Sequence, residues 1–77
     1  MYTETISLSS IDAVRKFVNI ANEYDFMINL ISDRYKVDAK SMMSVFSLDL
    51  NKPITVEIEE ECPEKLKEEI QEFKLSN

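Results

Sequence analysis

Hydrophobic positions along the chain change period several times, and each change marks an element. Tyr2, Ile6 and Leu8 share one parity, interrupted only by Glu4, while Thr3, Thr5 and Ser7 occupy the other. Alternation of this kind sets apolar side chains on one face of a half-buried strand. The period then lengthens: Ile11, Val14, Phe17, Val18, Ala21 and Tyr24 fall on one helical stripe, and Ser9 followed by Asp12 has the form of a capping box at its start. Residues 26–32 read as a second strand. Asp33-Arg34 then turns the chain into Tyr35, Val37 and Ala39, which alternate with Lys36 and Asp38, so a hairpin is expected. No Gly is available for that turn, and Asp33 is the residue expected to accept a left-handed conformation.

Ser41 stands before Met42, Met43, Val45, Phe46 and Leu48 as an N-cap before a short apolar helix, which Asn51-Lys52-Pro53 ends. Ile54, Val56 and Ile58 alternate with Thr55, Glu57 and Glu59 in the clearest strand pattern of the sequence. Pro63 fits the first position of a last helix, with Glu64 near its positive end and Leu66, Ile70 and Phe73 spaced along one face. The order strand, helix, strand, strand, helix, strand, helix predicts an α+β fold, an antiparallel sheet with helices packed on one face. Without repeats, linkers or low-complexity tracts, residues 1–77 read as a single domain.

Composition narrows the chemistry. The 77 residues include no His, no Gly and one Cys, at a formal charge of -6. Without His there is no imidazole base, ligand or phosphoryl acceptor. Without Gly there is no Walker-type or dinucleotide-type phosphate loop, both of which need close backbone approach. Cys62 alone makes neither an internal disulfide nor a zinc site. A chain of this size buries only about 60% of its unfolded surface, so a deep active site would compete with the core. Residues 1–56 carry six basic and seven acidic groups and residues 57–77 three and eight, an acidic end that disfavours nucleic acid and anionic membrane as partners. The start, Met1-Tyr2-Thr3-Glu4-Thr5, has neither a basic nor an apolar leader region, and a cytoplasmic protein is expected.

Three segments carry a family likeness: Ile28-Asn29-Leu30, the run Lys40-Ser41-Met42-Met43-Ser44-Val45-Phe46-Ser47-Leu48, and Ile54-Thr55-Val56. Together with the element order they resemble the HPr phosphocarrier proteins of the bacterial phosphotransferase system, which show a K-S-[IL]-[ML]-x-[VL]-x-x-L segment between hairpin and last strand. The resemblance spans nearly the whole chain. It implies an open-faced β-sandwich: a four-stranded antiparallel sheet in the order one, four, two, three, with three helices on one side.

The family's phosphoryl acceptor is a His in a G-[LI]-H-A-R-P motif at the start of the first helix. Run back without gaps from Ile28, those places fall on Leu8, Ser9, Ser10, Ile11, Asp12 and Ala13. None of the motif survives in place. Ser10 stands at the His position, and Asp12, at the Arg position, would repel a dianion rather than pair with it. The plain role for Ser9 and Ser10 is to cap the helix. Ser41 matches the family's second modification position, a serine phosphorylated in some lineages by HPr kinase. A phosphate there would gain from the helix dipole and adjacent Lys40, while the simpler role is an N-cap. Met42, Met43 and Phe46 match the apolar patch through which the family docks partners; on a two-turn helix they cannot all point inward, although Met also fills irregular cores. Glu57, Glu59, Glu60 and Glu61 read as a solvated acidic edge in preference to a cation site. The neighbouring Glu residues are expected to raise the Cys62 pKa.

Two functions follow from different classes. One is a non-catalytic HPr-like regulatory or protein-binding module, unable to act as a histidine phosphocarrier, using no cofactor or metal and controlled at Ser41. Its partner would be HPr kinase or a transcription regulator bound through Met42, Met43 and Phe46, as in the family's catabolite-control paralogues that lack the His. The alternative, from family membership alone, is a phosphocarrier component of the phosphoenolpyruvate-dependent sugar phosphotransferase system.

Overall fold

A computed structural model describes residues 1–74. The elements are β1 (Tyr2–Ile6), α1 (Ile11–Ala21), β2 (Asn29–Ser32), β3 (Tyr35–Asp38), α2 (Met42–Phe46), β4 (Ile54–Ile58) and α3 (Glu64–Gln71). The four strands form one antiparallel sheet in the order β1-β4-β2-β3. The fold is therefore the α+β arrangement that the element order and the resemblance predict.

The strand β4 is the organising element, because it pairs on both sides. Ile6 lies opposite Ile54, Tyr2 opposite Ile58, and Leu30 opposite Val56. Ile54, Val56 and Ile58 are fully buried and Thr55 and Glu57 half-buried, the period-two pattern of a sheet with one face in the core. Val14, Phe17, Val18 and Ala21 of α1 and Leu66 and Ile70 of α3 bury against that face. Phe73 packs edge-to-face on Phe17, ring centroids 5.3 Å apart at 82°. The Tyr24 hydroxyl donates to the Glu69 carboxylate at 2.8 Å and ties the end of α1 to α3. Burial and this bond push the Tyr24 phenol up to about 12.

Several elements begin or point differently from the pattern. The first helix is capped by Ser10, not Ser9: the Ser10 hydroxyl accepts from the Ala13 N–H at 3.1 Å. Ile11, one residue inside the cap, is 63% exposed even though it falls on the apolar stripe. Along α1 the stripe is buried only from Val14 onward. β2 starts at Asn29, three residues later than predicted; Ile28 just before it is buried, and its carbonyl accepts from the Ala39 N–H at 2.9 Å in a single bond beyond the end of the β2–β3 ladder. Of the alternating Tyr35, Val37 and Ala39, Tyr35 is 65% exposed on the edge strand β3 and only Ala39 beyond it is fully covered. Pro63 is the N-cap of α3, extended at φ -60 and ψ 146, so Glu64 is the first helical residue. In the hairpin turn Asp33 has φ 56, as expected of the residue able to take that conformation without Gly, and its carboxylate is paired with Lys52 at 3.1 Å.

Candidate functional site

Two helix starts contain the residues singled out in the sequence. At the first, Ser10 lies at the mouth of an open cleft of about 530 Å³ between the start of α1 and the residues after α3. Its lining includes Ser7, Ser9, Asp12, Lys16, Glu72 and Lys74. The charges roughly cancel: two lysines face two carboxylates, and Lys74 is also drawn to Glu4 at 4.0 Å. Ser7 N–H donates to the Phe73 carbonyl at 2.9 Å, so the chain after α3 closes one wall against the strand end. No imidazole lines this cleft, and the Ser10 hydroxyl accepts from the Ala13 N–H. Asp12 and Glu72 are carboxylates that could take a proton there, but they also offset Lys16 and Lys74, so no cation is dedicated to a developing phosphate.

At the second helix start, Ser41 caps α2 by accepting from the Ser44 N–H at 3.3 Å, with φ -101 and ψ 109. Its carbonyl accepts from Val45 N–H at 3.0 Å. The residues after it divide by direction. Val45 is fully buried, Met42 is half-buried against the core, Met43 is 85% exposed and Phe46 42% exposed. The expectation that a two-turn helix cannot bury all its large residues therefore holds, and Met42 is the one that fills the core. Met43 and Phe46 present apolar surface to solvent, the adaptable kind that a thioether and a ring provide.

The remaining candidates are placed away from both. The Glu57 carboxylate, on the sheet face opposite the helices, meets Lys36 Nζ at 2.7 Å, and this bond raises the Lys36 pKa. Glu59 follows the end of β4, and Glu59, Glu60 and Glu61 are exposed. Among the described residues no group of three acidic, His or Cys side chains comes together as a metal site. Burial pushes the Cys62 thiol up, with Glu64 adding to the rise and Lys67 opposing it, so desolvation rather than the acidic neighbours is the main cause. Among the described residues no helix is long and apolar enough to cross a membrane.

Sequence reasoning missed Asn22. At the C-terminal end of α1 its side-chain amide donates both to the Val18 carbonyl at 2.9 Å and to the Lys40 carbonyl at 3.1 Å, just before Ser41. An Asn at a helix end is so common a cap residue that its spacing from Lys40 carries no signal in the sequence.

No curated protein matches the chain. Among solved structures, the crystal structure of HPr-C-His from Thermoanaerobacter tengcongensis is similar, with a TM-score of 0.77 at 23% identity over 94% of this chain and 89% of that one. That likeness is one of fold. A family model described as the PTS HPr component phosphorylation site matches residues 11–74. The matched span takes in Ser41, Met42, Met43 and Phe46 and begins one residue after Ser10. By that match, the chain belongs to the HPr family of the phosphotransferase system.

Proposed function

We propose that this chain is a non-catalytic member of its family, a regulatory module that binds a protein partner and does not carry phosphate on a histidine. The observation that carries this reading is chemical. The chain has no His at all, and Ser10, at the corresponding place, stands beside Asp12 in a cleft of balanced charge. A phosphoserine ester there would not replace phosphohistidine, because it lacks the transfer potential a relay requires. The binding face is Met43 and Phe46, with Met42 supporting them from the core, and Ser41 at the head of the same helix is the control point. Phosphate on Ser41 would put about -1.5 to -2 charges beside that apolar face and next to Lys40. Both partner classes, HPr kinase and a transcription regulator that reads the phosphoserine form, use this one surface.

The test is a mass measurement after two separate incubations. With HPr kinase and ATP the chain gains one phosphoryl group, and Ser41→Ala abolishes the gain. With enzyme I and phosphoenolpyruvate it gains none. Transfer from enzyme I would overturn the reading, and failure of the kinase reaction would remove Ser41 as the control point.

A further inference from the structure

The peptide bond that joins Lys40 to Ser41 is held at both ends. Its N–H, on Ser41, donates to the Asp38 carbonyl at 3.1 Å, and its C=O, on Lys40, accepts from Asn22 Nδ2 at 3.1 Å. A peptide unit is planar, so fixing its donor on one side and its acceptor on the other fixes the orientation of the whole plane. The Asp38 side chain adds a second local bond by accepting from the Lys40 N–H at 2.8 Å. Of these contacts only the one from Asn22 is long in sequence, reaching across 18 positions from α1. Asn22 is itself held: its Nδ2 also donates to the Val18 carbonyl at 2.9 Å, which uses both hydrogens of that nitrogen.

We infer that Asn22 is a positioning residue for Ser41. By fixing the Lys40–Ser41 plane from α1, it sets the backbone from which the Ser41 carbonyl accepts Val45 N–H and the Ser41 hydroxyl accepts Ser44 N–H, and so holds the hydroxyl in one orientation. Asn suits the place because one nitrogen supplies two donors to two carbonyls. Ala supplies none, and an ionised Asp would set a negative oxygen against both acceptors. The consequence for modification rests on Ser41 being the phosphorylated residue. In that step the hydroxyl oxygen bonds to the γ-phosphorus of ATP, the bond to the ADP oxygen breaks, and the hydroxyl proton passes to the kinase's base. A hydroxyl held in one orientation meets that phosphorus without first being ordered.

Asn22→Ala and Asn22→Asp are compared with the wild-type chain by residue-resolved amide exchange and by the rate of phosphorylation with HPr kinase and ATP. Exchange at the Ser44 and Val45 amides is expected to rise about three- to tenfold in Asn22→Ala relative to the amides of β4. The rise is expected to be larger in Asn22→Asp, and kcat/KM for phosphorylation to fall in the same order. Unchanged exchange at Ser44 and Val45, or a uniform rise that includes β4, overturns the inference. If the wild-type chain takes no phosphate, the Ser41 reading fails, and the exchange comparison alone decides whether Asn22 fixes this peptide.

Discussion

The starts of α1 and α2 are built from the same local device and differ in everything around it. Each is capped by a serine, Ser10 or Ser41, whose hydroxyl accepts from the amide three residues on, at 3.1 Å and 3.3 Å. Each serine stands where the family resemblance puts a modified residue. Around Ser10 the next large side chain, Ile11, is exposed, Asp12 follows, and the cleft's lysines are matched by carboxylates. Around Ser41 the preceding peptide is clamped by Asn22 and Asp38, Lys40 is adjacent, and an apolar face follows at Met43 and Phe46. An N-cap is therefore not informative by itself. What differs between these two caps is the charge environment, the bracing and the surface beside each, and it is on those that the proposed switch at Ser41 rests.

The contrast can be broken in four places. The largest effect is on modification: Ser41→Ala removes phosphate uptake from HPr kinase altogether, while Ser10→Ala leaves it unchanged, as read by intact mass. Uptake that survives Ser41→Ala would move the switch elsewhere. Next is the surface. Phe46→Glu puts a charge into the exposed apolar face and is expected to weaken binding to HPr kinase at least tenfold, on the order of a hot-spot residue. Circular dichroism should find the fold intact, because Phe46 is already 42% exposed. Equal affinity would place docking on another face.

The third effect tests what the two caps share. Each serine-to-alanine change loses about 1 kcal/mol of stability by removing an N-cap bond, a shift of about 5 °C in the melting temperature for a chain this small. Similar losses at Ser10 and Ser41 would confirm that the caps are equivalent as structure and differ only in function. The smallest effect concerns the frame that holds both helices. The Tyr24 phenol titrates near 12 in the folded chain against an ordinary value of 10, so the unfolded chain loses its proton first. The stabilisation it brings is whole below pH 10 and declines as pH rises toward 12. Urea denaturation should find this alkaline loss reduced in Tyr24→Phe, and an unchanged loss would assign it to other groups.

Much of the frame was legible from the chain. Alternation at Ile54, Val56 and Ile58 located the central strand because a sheet with one buried face demands period two. Asp33 could be identified as the left-handed turn residue because a Gly-free hairpin leaves few alternatives. Boundaries slipped where tertiary surroundings overrule local pattern. Ser9 and Ser10 are chemically alike, and only the chain's path decides which one caps. Ile11 fits the apolar stripe but is exposed at the head of the helix, and Tyr35 alternates correctly on an edge strand that leaves its side chain uncovered. At the site, the two serines and the Met-Phe face could be read because they are contiguous in sequence. The role of Asn22 could not, since its bond to Lys40 joins two segments that only the packing of α1 against α2 brings together.

The central claim is that this family member does not carry phosphate on a histidine, and the most direct measurement is its intact mass after incubation with enzyme I and phosphoenolpyruvate. The sample is kept at neutral to alkaline pH, where phosphohistidine persists, and a functional HPr in a parallel reaction shows that the donor is active. The expected result is an unshifted mass for this chain beside a one-phosphoryl gain for the control; a matching gain on this chain would contradict the account.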